Sequence, residues 1–147
     1  MPRIGLFGGT FDPVHLAHLR TAEEAREALA LDRIELVLAA VPPHKAPGAH
    51  ASVPHRQKML ELAIAGNPRF ALNLSEIERD GPSYSIDTIR AVQQREPNAA
   101  LTFILGADAF ADIATWKDYR DIFTGCDICV ISRPGTPAGE LPIAVEN

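Results

Sequence analysis

Ile4-Gly5-Leu6-Phe7-Gly8-Gly9-Thr10-Phe11-Asp12-Pro13-Val14-His15-Leu16-Ala17-His18 leads a short apolar run through two adjacent glycines into a helical pattern. Two glycines after a buried strand let the backbone turn sharply and bring its N–H groups close to an anion, where a side chain would obstruct the approach. Phosphate is the expected anion. Asp12 is typed as a helix N-cap and Pro13 as the first helical position, with a helix from about His15 to Ala30. His15 and His18 then lie three residues apart on one face of its first turns, turned toward one ligand. Taken singly, a Gly-Gly turn reads as an ordinary strand-to-helix bend and a histidine pair as solvated side chains. Together in one short run they point to a nucleotide site. A zinc site would need a third ligand, and none is close in sequence, so no metal ligand is assigned. The Gly-x-Gly-x-x-Gly fingerprint of dinucleotide-binding dehydrogenases is absent.

Outward from this junction, apolar runs alternate with helical patterns. Strands are expected at Ile4 to Phe7, Ile34 to Ala40, Phe70 to Leu74, Leu101 to Leu105 and, last, Ile128 to Ile131. Helices are expected after the first strand, over His55 to Ala65, and through Ile86, Ile89 and Val92. This order predicts an α/β fold, a Rossmann-like open and mostly parallel sheet with helices on both faces, and ligands outside the carboxyl ends of its strands. No internal repeat or linker precedes the Pro/Gly-rich stretch from Arg133 to Pro142.

The loops after strands hold the unusual residues. Val41-Pro42-Pro43-His44-Lys45 stiffens a loop and presents a histidine beside a lysine, suited to phosphate, although a rigid surface turn would look the same. Gly106-Ala107-Asp108 offers close approach at the glycine and a carboxylate able to accept from hydroxyls or to anchor a helix start. Trp116 lies in the polar context Thr115-Trp116-Lys117-Asp118, which suits an exposed ring; core packing is the alternative.

Composition fits one compact domain over 1–147: 46% of residues are hydrophobic and 22% charged. No apolar stretch approaches the roughly twenty residues of a membrane span, and no signal peptide is evident, so a cytoplasmic location is expected. A net charge of −5 argues against a nonspecific nucleic-acid binder. Cys126 and Cys129 form a Cys-x-x-Cys, but they sit around a β-rich run rather than opening a helix, so buried or half-buried thiols are expected instead of a redox pair.

Gly8 to His18 resembles the phosphate-binding signature of the HIGH-type nucleotidyltransferases, with His15-Leu16-Ala17-His18 in place of His-x-Gly-His. Ala17 departs from the pattern by one methyl group. Within that superfamily the chain resembles the nicotinate-nucleotide adenylyltransferase family from residue 1 to about residue 135. The resemblance rests also on Val41-Pro42-Pro43-His44-Lys45, Pro82-Ser83-Tyr84-Ser85-Ile86-Asp87-Thr88, Gly106-Ala107-Asp108, Thr115-Trp116 and Ser132-Arg133-Pro134-Gly135. It implies that Gly8, Gly9, Thr10, Phe11, His15, His18, Gly106 and Asp108 line the ATP site. His44 and Lys45 would lie near the mononucleotide phosphate. Ser85 and the backbone around Trp116 would recognise the nicotinate carboxylate, with the Trp116 ring stacked on the pyridine. His15, His18 and Lys45 are the implied catalytic groups.

Ala39 and Ala40 stand where relatives often place asparagine, and family members continue to a Ser-x-Thr-x-x-Arg-like motif that the 147 residues do not contain. The expectation is therefore a domain incomplete at its C-terminal side relative to the family, with exposed surface that leaves homo-oligomerisation open. The implied reaction is adenylyl transfer from ATP to nicotinate mononucleotide, with Mg²⁺ delivered by ATP. A sister transferase acting on phosphopantetheine and a noncatalytic nucleotide-binding module are the alternatives.

Overall fold

The computed structural model describes residues 1–9, 11, 14, 16–39, 52–79, 84–131 and 143–146; the side chains of Asp108 and of 143–146 lie outside the description. Its strands are β1 (Arg3–Gly9), β2 (Arg33–Leu38), β3 (Phe70–Asn73), β4 (Ala100–Gly106), β5 (Asp127–Ile131) and β6 (Ile143–Glu146). They form one sheet in the order β3-β2-β1-β4-β5-β6. The first five are parallel, and β6 pairs antiparallel with β5. The expected mostly parallel α/β sheet is present, with β6 added beyond the strand read as the last one.

The parallel strands are buried on both faces, which is why they read as continuous apolar runs. On one face Ile4, Leu6, Val37, Phe103 and Leu105 pack under Ile86, Ile89 and Val92 of a helix over Ser85–Arg95 and under Ile122 of a second helix over Tyr119–Gly125. On the other, Ile34, Leu36, Leu38 and Ile104 pack under Ala22 and Ala25 of the helix Leu16–Ala28 and under Leu60 of the helix Val53–Ile64. In chain order these helices are α1 (16–28), α2 (53–64), α3 (Ser75–Glu78), α4 (85–95), α5 (Ala107–Ala111) and α6 (119–125), with a 3₁₀ turn over Ile113–Thr115. The Ser52 side chain caps α2 by accepting from the His55 N–H at 3.3 Å.

Helix α1 corrects one expectation. It begins at Leu16, and Val14 is not helical, so Pro13 does not open it and Asp12 does not cap it at the expected register. His18 falls in the first turn, and His15 lies outside the described residues. The short elements α3, the 3₁₀ turn and α6 were not foreseen in the sequence, whereas α5 starts beside Asp108, where a helix start was one of two readings.

Candidate functional site

The chain runs from β1 toward β2 on one side, while β4 lies on the other side of β1, so the strand order reverses between the two central strands. In open parallel sheets the crevice outside the carboxyl ends at such a reversal is where ligands bind. Gly8 and Gly9 end β1 there, and Gly106 ends β4 and caps α5. A Cβ built on Gly8 or on Gly106 would meet nothing within 4 Å, so both glycines border open space. Gly9 differs: a Cβ there would stand 3.3 Å from Cζ of Phe11.

Phe11 is itself buried, 2% exposed, with φ at +48°. Its side chain therefore packs inward, and only its backbone is free to line a nucleotide. The ring meets Phe7 edge-on at 5.9 Å between centroids and the His18 imidazole at 5.2 Å, with an 82° interplanar angle. His18 is half-buried in the first turn of α1. Ala17 is exposed, so the methyl that departs from the HIGH pattern meets solvent rather than the sheet.

Helices in this fold run antiparallel to the strands, so the N-terminus of α4 also opens at the carboxyl edge. Ser85, half-buried, is its first residue. Trp116 follows the 3₁₀ turn after α5, half-buried, with its ring packed edge-on to Phe103 at 6.1 Å. Packing on the core, the reading set beside exposure for this tryptophan, accounts for one side of the ring. Lys117 Nζ stands 4.7 Å from the centroid of the Tyr84 ring, so the residues flanking Trp116 and Ser85 touch one another. Asp108 is the second residue of α5; Gly106, not Asp108, occupies the cap position. Thr10, His15, His44 and Lys45 lie outside the described residues.

Two buried polar arrangements went unread in the sequence. Arg56, 3% exposed on α2, donates to the carbonyl of Ala39 at 2.7 Å, and the Ala39 N–H donates to the Gly9 carbonyl at 3.0 Å. The carboxyl end of β2 is thereby tied to both α2 and β1 just where the chain enters the 40–51 segment. The second lies under α4, where the Thr88 hydroxyl donates to Glu76 at 2.9 Å. Burial raises the Glu76 carboxyl above its ordinary range, the Thr88 hydrogen bond and the Arg79 charge pulling the other way. The signal for Arg56 was available: it and Leu60, four residues apart, are the buried positions of α2.

The Cytidylyltransferase-like family matches residues 6–146. A protein of Thermus thermophilus, named "Probable nicotinate-nucleotide adenylyltransferase", is 47% identical over 143 residues, covering 97% of this chain and 76% of the relative. One of the same name from Citrifermentans bemidjiense is 47% identical over 147 residues, covering 97% of this chain and 68% of the relative. The solved Plasmodium falciparum nicotinic acid mononucleotide adenylyltransferase complexed with NaAD superposes with a TM-score of 0.74 at 21% identity, over 92% of this chain and 66% of that one. That likeness establishes the fold; the identity to the bacterial relatives establishes more. With a switch-point crevice edged by Gly8, Gly9 and Gly106 and these similarities along nearly its whole length, the chain belongs to the nicotinate-nucleotide adenylyltransferase family.

Proposed function

We propose that this chain catalyses adenylyl transfer from ATP to nicotinate mononucleotide, giving nicotinic acid adenine dinucleotide and pyrophosphate in NAD biosynthesis. The observation that carries the reading is the 47% identity over 97% of the chain to a relative named for this activity. The crevice between β1 and β4 supports it.

An oxygen of the mononucleotide phosphate attacks the α-phosphorus of ATP, the bond from that phosphorus to the bridging oxygen breaks, and pyrophosphate departs. No enzyme nucleophile is needed. Catalysis then rests on alignment and on donors aimed at the charge that grows on the transferred and leaving groups. The open edges at Gly8 and Gly106 let backbone N–H groups approach the phosphates, a role shared by the backbone of Gly9 and Phe11 and assigned also to Thr10. His15, His18 and Lys45 supply the positive or donating side chains, and Asp108 sits on the ATP side at α5. His44 and Lys45 hold the mononucleotide phosphate. Ser85 and the Trp116 backbone hold the nicotinate carboxylate, a pairing supported by the contact of their neighbours Tyr84 and Lys117.

The described donors at the crevice, backbone N–H groups and an imidazole, suit an anion rather than a bare cation. Mg²⁺ accordingly belongs to the phosphates of ATP, where it neutralises charge on the leaving group. Among the described residues no helix is long and apolar enough to cross a membrane.

Pyrophosphate release from Mg²⁺-ATP tests the reading, with nicotinate mononucleotide, nicotinamide mononucleotide and phosphopantetheine as alternative acceptors. Release with nicotinate mononucleotide is expected. Release only with phosphopantetheine would assign the chain to a sister reaction, and release with none would leave a nucleotide-binding module.

A further inference from the structure

Phe11 holds a conformation that a bulky side chain seldom adopts, with φ at +48°. Such a backbone is strained and persists only where the surroundings fix it. Here it turns the ring back under β1, where three neighbours define its place. Gly9 lies against one side, so closely that a Cβ would stand 3.3 Å from Cζ and 3.5 Å from both Cε atoms. Phe7 meets it edge-on at 5.9 Å, and His18 at 5.2 Å. The ring is 2% exposed, so it is not itself a surface for ligand.

An imidazole has a broad preference about its second side-chain torsion, so packing must choose its orientation. The fixed Phe11 ring forms one wall against which His18 is oriented. We propose that Phe11 is a positioning residue for His18: the strained turn at residue 11 exists to set the plane of the imidazole toward the crevice. This rests on the role given to His18 under Proposed function. Glycine at 9 fits this arrangement, because a Cβ there would press on the ring that orients the histidine.

The test is a double-mutant cycle on pyrophosphate release, using Phe11→Leu, His18→Ala and both together. A residue acting through His18 matters most where charge grows on the α-phosphate. Phe11→Leu should therefore lower kcat by about tenfold or more, with a much smaller change in KM for ATP. Combined with His18→Ala, it should cost nothing further. Equal losses with and without His18, or an unchanged kcat, would overturn the proposal while leaving the adenylyl-transfer reading intact. Full turnover by His18→Ala alone would instead reject the catalytic role of His18, and this inference with it. Phe11→Met serves in the same cycle if Phe11→Leu folds poorly. A readout free of turnover is the NMR signal of the His18 ring protons, which the neighbouring aromatic displaces. They should move in either variant, and unmoved resonances would overturn the proposal.

Discussion

Gly5 and Gly9 are both residues of β1, but crowding at each has a different consequence. A Cβ at Gly5 would stand 2.8 Å from Cδ1 of Leu31 and 3.0 Å from Cδ1 of Ile104, deep between sheet and α1. Gly5→Ala should therefore lower stability by about 1–2 kcal/mol, as overpacked cores do, read as a shifted urea midpoint, while kcat of the folded protein holds. Gly9→Ala presses on Phe11 instead, and its expected signature is a loss of kcat exceeding its loss of stability. A Gly9→Ala protein with normal turnover would mean the ring can yield without moving His18. For His18→Ala the expectation is a fall in kcat far larger than any rise in KM for ATP, checked by steady-state kinetics. At this scale the paired glycines that end β1 were legible, because two glycines have few reasons to follow a buried strand. The inward placement of the Phe11 ring was not legible. An aromatic inside a phosphate signature reads as ligand lining, and nothing in the letters carries the sign of its φ angle.

Elements made legible by periodicity were those that bury one side along several turns or strands that are buried on both faces. Ile86, Ile89 and Val92 marked α4 and are its buried residues, joined by Thr88. The elements left unread are short or depend on distant partners: α3 spans Ser75–Glu78, too brief for a helical period, and β6 is defined by pairing with β5. Polar residues inside apolar patterns were passed over for the same reason. Glu35, 3% exposed on β2, accepts from Asn73 at 2.9 Å and from Arg33 at 3.0 Å, and Arg95 of α4 also reaches it. These bonds join β2, β3 and α4 into one unit. Arg56 does the same for α2 and the end of β2. Arg56→Met keeps an apolar stem but leaves the buried Ala39 carbonyl without that donor. The expected cost is about 1–3 kcal/mol in urea unfolding. Because the chain enters the segment of His44 and Lys45 directly after β2, KM for nicotinate mononucleotide should rise more than KM for ATP. Equal changes in the two would show that β2 does not transmit its end position to the acceptor side.

Across the whole molecule, the sheet separates two cores, and the Cys-x-x-Cys spans it. Cys126 belongs to the core under α4 and α6, and Cys129 to the core under α1 and α2. A spacing that suggests a redox pair thus places its thiols in separate compartments, both free and buried. The Cys126 thiol lies 3.2 Å from the Ile122 carbonyl, to which it donates. Burial pushes Cys126 up to about 12, with the Asp127 charge adding to it, and burial pushes Cys129 up to about 11, both from 9.0. In the unfolded chain these thiols ionise near the ordinary value, whereas in the folded chain they stay protonated well above it. The stability they contribute is complete below pH 9 and is lost as pH rises through the interval up to about 11 and 12. Within that interval each thiol should remove about 1.4 kcal/mol per pH unit. Other groups also titrate there, so the informative quantity is a difference in slope. The urea midpoint of the parent should fall more steeply from pH 9 to 11 than that of a Cys126→Ala, Cys129→Ala double variant, even though the variant starts lower because it lacks two buried side chains. Alkylation at pH 8 should proceed only as fast as the chain opens, since the buried thiols are neither ionised nor exposed. Parallel midpoint curves for the two proteins, or rapid alkylation of the native parent, would mean that the two cores admit solvent to these thiols and are not the closed compartments on which the sheet's stability rests.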